Sequence, residues 1–298
     1  MSKRIEFYKN RDIGGRLSAA IDFLKENWKI LYKNVLIGGL PLAAILGFSL
    51  ASQSGAVSTF GAPGAFLFMF LSFFLSYLSM IYMYSMTGAV LLHYERNRLT
   101  ETTGWSDLKD DFFRLAKKTT QISLIVFVPV IIIMAIIVAV FVLLITSTNG
   151  GSNASAFISV MVLMLFIFLF LGVFIAIAPS FVMLYFPAYF SGKEILQSIK
   201  ISFTLGFKNW GSLFVSILLV GIILGIISVM FNLPFQLLLL FSPGEITVVS
   251  YILATLSAIG SLIATPITVI IFAFQYFSIV EKEEGISLQS KIDEFENL

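Results

Sequence analysis

The chain offers few side chains for acid–base or metal chemistry. It has one histidine and no cysteine in 298 residues, which excludes disulfides, thiolate metal sites and cysteine nucleophiles. His93 stands beside Tyr94 and Glu95 at the end of a long apolar stretch. An interfacial polar residue is a simpler interpretation of His93 than a metal ligand or a general base. With one histidine, a metal cluster would need carboxylates alone, so we expect no metal, no cofactor and no catalytic residue.

Motifs that would indicate enzymatic chemistry are missing too. We find no phosphate-binding loop, no dinucleotide-binding turn and no nucleophile elbow. The basic segments are interleaved with acids, which argues against nucleic acid as a partner. An enzyme acting on lipid would have only His93, Glu95 and Glu245 as candidate residues. The sequence therefore predicts a protein that is not an enzyme.

The apolar stretches contain residues suited to helix packing. Small residues let helix backbones approach each other, and hydroxyl groups can bond between helices. We predict packing positions at Gly221, Gly225, Ser257, Ser261, Ser72 and Ser76. Serine and threonine stripes also line some substrate pathways, so a channel or a flippase stays open as an alternative.

Three blocks almost free of charge must hold these packing positions. They lie between Lys33 and Glu95, between Lys118 and Lys193, and between Lys208 and Glu281. The chain is 58% hydrophobic and 12% charged, a balance that a soluble surface could not accommodate. Each block can hold two spans of roughly 20 residues and a turn. We predict an all-α integral membrane protein whose six transmembrane helices form three hairpins. The predicted helices are 35–52, 65–93, 121–146, 156–188, 211–231 and 249–280.

The basic residues indicate the orientation. All 19 Lys and Arg lie outside the predicted hairpins, so the positive-inside rule places both termini in the cytoplasm of a bacterium, with the spans in its inner membrane. An amphipathic cytoplasmic helix is expected before each hairpin. The single membrane domain then divides into a first helix (1–33), hairpin 1 (34–94), a second helix (95–120), hairpin 2 (121–190), a third helix (191–210), hairpin 3 (211–280) and an acidic tail (281–298).

The cytoplasmic segments carry apolar stripes at helical spacing. The first stripe is Leu17, Ile21, Leu24, Trp28 and Leu31; the second is Leu108, Phe112, Leu115 and Ala116; the third is Ile195, Ile199, Phe203, Phe207 and Trp210. Tryptophan suits the acyl–headgroup boundary, and lysine suits anionic headgroups. The predicted interfacial residues are Trp28, Lys25, Lys29, Trp105, Trp210 and Lys208. Packing on the ends of the helix bundle is the alternative role.

A short internal repeat accompanies these stripes. Asn27-Trp28-x-x-Leu31 recurs as Asn209-Trp210-x-x-Leu213. This spacing suggests an amphipathic helix plus a hairpin, used three times. The tail 281–298 carries six acids and two bases, so it would dock on the basic cytoplasmic helices or on another protein, or be solvated.

Two stretches resemble known bacterial multi-pass membrane families. The first is Tyr185-Phe186-Pro187, followed by Gly192-Lys193-Glu194-Ile195-Leu196-Gln197-Ser198 and Trp210; the second is Gln275-Tyr276-Phe277 through Glu284-Gly285. The nearest named family is the membrane-domain family associated with glycerophosphoryl diester phosphodiesterases, and related families of unknown function share its layout. Some members are fused to a soluble phosphodiesterase domain that this sequence lacks, so the resemblance implies only a membrane module that serves another protein.

Taken with the missing motifs, this resemblance predicts a scaffold or accessory subunit of an inner-membrane complex. Its partners would be the lipid bilayer and other membrane proteins, with a bound lipid as a further option. The alternative is a transporter or handler of lipids or small hydrophobic molecules.

Overall fold

The computed structural model describes residues 5–97, 99–100, 102–148, 153–241 and 247–285. Every regular element within these ranges is a helix: α1 (Ile13–Arg96), α2 (Trp105–Thr148), α3 (Asn153–Val182), α4 (Phe186–Phe190), α5 (Ile195–Lys208), α6 (Trp210–Phe241) and α7 (Val248–Glu284). Six stretches are long and apolar enough to cross a membrane: Ile13–Ser52, Phe66–Arg96, Trp105–Ile133, Phe170–Phe190, Trp210–Phe241 and Val248–Glu284. The predicted all-α, six-span architecture is confirmed.

Helix α1 contains the first two of these stretches and reverses direction between them. Ser49 Oγ lies 2.7 Å from Ser72 Oγ, and Tyr82 Oη donates to the Asn34 carbonyl at 3.0 Å. A straight helix would separate Ser49 from Ser72 by about 34 Å, so the two halves of α1 must lie side by side. The other two predicted turns fall partly on 149–152 and 242–246, outside the described residues. The arrangement of three hairpins stays a prediction.

The chain forms two compact units. Unit 1 combines residues 1–119 with 211–298, and unit 2 is residues 120–210. Within unit 1, α7 packs along α1 closely enough that a Cβ on Gly47 would lie 2.5 Å from the Thr255 Cα. Residues 269–281 of α7 are all buried, so this end of α7 forms the centre of the unit 1 core.

The first apolar stripe does not form the buried face of α1. The structure buries Arg16, Ala20, Phe23 and Asn27 together with Leu31, whereas Trp28 is 53% exposed. Of the predicted stripe, Ile21 and Trp28 are exposed, Leu17 and Leu24 are half-buried and Leu31 is buried. The buried face thus combines apolar side chains with Arg16 and Asn27, two polar groups that need partners inside the protein.

Helix α5 also buries residues outside its predicted stripe, most of which is half-buried. The buried positions are Ser198, Ser202, Leu205 and Gly206, and of the predicted stripe, Phe207 is exposed. In the second stripe the outcome differs, since Leu108, Phe112 and Leu115 are buried.

The sequence repeat extends to side-chain conformation. Asn27 and Asn209 each donate from Nδ2 to the carbonyl four residues earlier, at 3.0 and 3.2 Å. Leu31 and Leu213, four residues after each asparagine, are both fully buried. The two copies of the motif thus use asparagine and leucine in the same way.

Candidate functional site

An extended segment, residues 5–12, precedes α1 and is held in place by an aromatic cluster. We call it the strap. Phe7 is 5% exposed and its ring lies 4.7 Å from the Phe277 ring, 5.2 Å from Phe274 and 5.5 Å from Tyr94, measured between centroids. Contacts of this kind add to the apolar area that each ring buries. Phe7 therefore anchors the strap to the end of the α1–α7 core.

Backbone hydrogen bonds fix the strap at both ends. The Ile5 N–H donates to Tyr94 Oη at 3.2 Å. The Arg11 N–H donates to Ser278 Oγ at 2.9 Å, and the Ser278 hydroxyl donates back to the Arg11 carbonyl at 3.2 Å. Helix α1 can begin directly after the strap because Asp12 caps it, its carboxylate accepting from the Gly15 N–H at 2.9 Å.

A cavity of about 440 Å³ lies between the strap and the first turns of α1. We call it the strap groove. Its lining residues are Ile5, Glu6, Lys9, Arg11, Gly15, Ser18, Ala19 and Asp22. Lys9 and Glu6 form a largely exposed ion pair at 3.9 Å, and Arg11 Nη1 donates to the Phe7 carbonyl at 3.2 Å. The groove therefore presents charges of both signs on a fixed backbone.

Tyr8 lies on the strap beside the groove. Burial raises the pKa of the Tyr8 phenol well above its ordinary range, and the nearby carboxylates of Glu95 and Glu284 raise it further. Its ring packs edge-on against Phe277 at 5.1 Å. Tyr8 therefore stays neutral at physiological pH and acts as a packing residue of the strap.

Arg16 is the most unusual buried residue of unit 1. It is 7% exposed, and its hydrogen bonds reach four neutral acceptors. Nε donates to the Arg11 carbonyl at 2.8 Å and to Ser278 Oγ at 3.1 Å, and Nη1 donates to Ser212 Oγ and Gln275 Oε1, both at 2.9 Å. Arg16 thus connects the strap, α1, α6 and α7 through one buried cation.

A second cavity, of about 180 Å³, lies between α6 and α7. It is lined by Leu224, Ile227, Ser228, Asn232, Gly260, Ser261, Ala264, Thr265 and Thr268. Its hydroxyls bond locally: Thr265 donates to the Ser261 carbonyl at 2.8 Å and Thr268 to the Ala264 carbonyl at 3.0 Å. Because these hydroxyl hydrogens are used within α7, the cavity is better suited to a hydrocarbon than to a polar guest.

Unit 2 buries polar groups in a seam between α5 and the end of α3. Ser202 Oγ lies 2.9 Å from the Ser198 carbonyl and 3.1 and 3.2 Å from the carbonyls of Met183 and Leu184, so these three acceptors share its one hydrogen. Met183 and Leu184 lie where α3 ends ahead of Pro187, and the Met183 carbonyl also accepts the Phe186 N–H at 3.3 Å. A Cβ on Gly206 would lie 2.5 Å from the Ser180 Cα, so α5 and α3 can meet only at a glycine.

The predicted interfacial residues lie at the surface. Lys25, Lys29 and Lys208 are exposed, Trp28 is 53% exposed with Lys29 Nζ 5.9 Å from its ring centre, and Trp105 is 36% exposed. Trp210 is half-buried and donates from Nε1 to the Ala176 carbonyl at 3.1 Å. Contact of these residues with lipid headgroups stays a prediction.

The predicted packing residues divide into two groups. Ser72 is buried and bonded to Ser49, and Ser257 is buried and donates to Asn232 Oδ1. The other predicted positions are exposed, namely Ser76, Ser261, Gly221 and Gly225. A Cβ at either glycine would meet no atom within 4 Å. These two glycines therefore do not mediate packing among the described residues, because the outward face of α6 carries them.

His93 is half-buried, and its carbonyl accepts the Asn97 N–H at 2.7 Å where α1 ends. Among the described residues, no group of three or more His, Cys, Asp or Glu side chains could hold a metal ion. Glu245 and most of the acidic tail, 286–298, lie outside the described residues.

Sequence reasoning missed both the strap and the Arg16 cluster. One signal was present for Arg16: positions 16, 20, 23, 27 and 31 follow helical spacing and share a face. Gln275 and Ser278, polar residues inside an otherwise apolar stretch, gave a second signal, because a polar group buried there needs a partner.

No protein-family model matches this chain, and no curated protein and no solved structure matches it either. The family resemblance drawn from the sequence therefore stays a prediction, and the function must be argued from the site.

Proposed function

We propose that this chain is a non-enzymatic scaffold or accessory subunit of a complex in the bacterial inner membrane, with both termini in the cytoplasm. The observation that carries the proposal is the strap groove. Its volume of about 440 Å³ lies within the range of roughly 300–1,000 Å³ typical of binding pockets, and both of its walls are held by specific contacts.

The charges of the groove indicate the kind of partner. Glu6 and Asp22 can receive basic side chains, and Lys9 can receive an acidic one. The strap gains no further order on binding, because Phe7 and the Ser278 hydrogen bonds already fix it, which lowers the entropic cost of docking. A cytoplasmic segment of a partner protein, carrying charges of both signs, is the class of ligand that this surface fits.

Purification of the tagged protein from its native membrane tests the proposal. We expect a stoichiometric partner protein, identified by mass spectrometry, to accompany the native chain. Asp22→Arg should reduce its recovery at least about tenfold, the effect of losing roughly 1.4 kcal/mol of binding free energy. Glu26→Arg is the matched control, because Glu26 is an exposed acid on the same helix outside the groove. Absence of a stoichiometric partner, or equal loss in both variants, would contradict the proposal.

The α6–α7 cavity supports a second candidate function, the handling of lipids or small hydrophobic molecules. Its volume of about 180 Å³ is small for a binding site, which ranks this function second. Filling the cavity with Ala264→Phe should abolish lipid exchange between vesicles, whereas Ile252→Phe, at a position that is 61% exposed, should leave it unchanged. No exchange by the native protein would eliminate this candidate.

A further inference from the structure

Arg16 carries a positive charge that its surroundings do not balance. Its four hydrogen-bond acceptors are all neutral. Asp12 acts on it through space, but within the described residues no carboxylate oxygen forms an ion pair with Arg16. Burial of a charge without a counter-ion is costly, so this position favours an anion from outside the chain.

The guanidinium has one unused nitrogen, and its other terminal nitrogen contacts the start of α6. Nε and Nη1 make all four hydrogen bonds, and Nη2 makes none with the residues that the structure describes. Nη1 of the same group lies 2.9 Å from Ser212 Oγ, in the first turn of α6.

Space for a ligand is present beside Ser212. Gly211 is exposed, and a Cβ built on it would meet no atom within 4 Å. Helical spacing then places Val215, Leu218 and Ile222 on the same face below Gly211, and they are 43%, 54% and 63% exposed. An open apolar strip thus runs along α6 from Gly211, the residue next to Ser212.

Gly221 and Gly225 lie next to this strip and are also open to the surroundings. Without side chains, they leave space beside Leu218 and Ile222 that hydrocarbon chains can occupy. Contact with lipid therefore provides a role for these two glycines, which do not mediate packing among the described residues.

We infer that Arg16, Ser212 and the outward face of α6 form a binding site for one membrane phospholipid. Arg16 Nη2 and the Ser212 hydroxyl receive the phosphate, since guanidinium and hydroxyl donors suit phosphate oxygens. The acyl chains lie along Val215, Leu218 and Ile222. Arg16 also holds the strap through Arg11 and Ser278, but the phospholipid does not enter the strap groove, so the assignment stands whether or not a protein partner is found.

Native mass spectrometry of the delipidated full chain tests the site. Phosphatidylglycerol or phosphatidylethanolamine should add one molecule per chain and raise the melting temperature. Diacylglycerol, which has the same chains without phosphate, should be retained at least about tenfold less, the loss expected for one charged hydrogen-bond contact. Equal retention of both lipids, or a rise in melting temperature with inorganic phosphate and no lipid adduct, would overturn the assignment.

Two variants locate the site. Arg16→Gln should reduce phospholipid retention at least about tenfold, whereas Lys29→Gln, at an exposed lysine of the same helix, should not. Ser212→Asp keeps Arg16 charged and supplies an internal carboxylate, so the delipidated protein should be at least as stable as the native one and should no longer retain lipid. Ser106→Asp, in the exposed first turn of α2, is its matched control. Unchanged retention in Ser212→Asp would contradict the inference even if Arg16→Gln fails to fold.

Discussion

Unit 1 and unit 2 both bury polar side chains between helices, but unit 1 buries a charged group in this way and unit 2 a neutral one. In the α5–α3 seam, the Ser202 hydroxyl lies within hydrogen-bond distance of the Ser198, Met183 and Leu184 carbonyls, so its acceptors are neutral groups of unit 2 and no charge is buried. In the Arg16 cluster, every donated bond ends on a neutral acceptor, so a charge remains. A buried hydroxyl that completes a local network stabilises the fold, whereas a buried charge without a partner indicates a ligand.

The strap provides the sharpest test on the unit 1 side. Phe7→Ala should weaken docking of the strap by about 3–5 kcal/mol, because a nearly fully buried ring is lost. Trypsin should then cut after Lys9 on the order of 100-fold faster, since the strap opens more often. Phe113→Ala, which removes a ring that is 63% exposed, is the control. Equal cleavage rates in the native protein and in Phe7→Ala would show that Phe7 does not anchor the strap.

The corresponding test in unit 2 is Gly206→Ala. The added Cβ would lie 2.5 Å from the Ser180 Cα, and backbone cannot move aside cheaply, so we expect a loss of about 1–3 kcal/mol. Gly172→Ala should instead be neutral or slightly stabilising, because its Cβ meets no atom within 4 Å and alanine favours helix. Fluorescence of Trp210 in a variant lacking Trp28 and Trp105 would follow unfolding of unit 2. Similar effects of both substitutions would refute a close contact at Gly206.

Ser202→Ala tests whether the stability of the seam is independent of lipid. Removal of the hydroxyl takes one buried donor away from the Ser198, Met183 and Leu184 carbonyls, which should cost about 1–2 kcal/mol. Added phospholipid should not restore this loss, in contrast to its effect on the Arg16 cluster. Melting curves with and without phospholipid measure the loss of stability in Ser202→Ala and any effect of lipid on it. If phospholipid restored the melting temperature of Ser202→Ala, the two units would not differ in the way proposed.

Tyr8 should produce the smallest effect, seen only at alkaline pH. Its raised pKa means that the folded protein keeps the phenol proton to higher pH than the unfolded chain does. The stability that depends on neutral Tyr8 is therefore complete below pH 10, the ordinary tyrosine pKa, and is lost as the pH rises further. Tyr8→Phe should lose less stability than the native protein between pH 9 and 11 in thermal melts. Identical pH dependence of stability in the native protein and in Tyr8→Phe would show that the Tyr8 phenol is not buried when the strap is docked.

The sequence was sufficient for the six spans, because apolar length is a local property that each stretch carries by itself. It was not sufficient for the strap, since Phe7 meets Phe274 and Phe277 from the far end of the chain. The burial of Arg16 was not predicted, because its hydrogen-bond partners Ser212, Gln275 and Ser278 lie on helices far along the chain. Pro187 marked the break after α3, but only the fold brings Ser202 to the Met183 and Leu184 carbonyls at this break.

Site-specific photocrosslinking in native membranes is the most direct measurement of the central claim, that the strap groove docks a partner protein. A photoreactive amino acid at Asp22 should give one discrete crosslinked band, and the same probe at Glu26, one turn away and outside the groove, should give none. A band of equal strength from both positions, or no band from Asp22, would contradict the account.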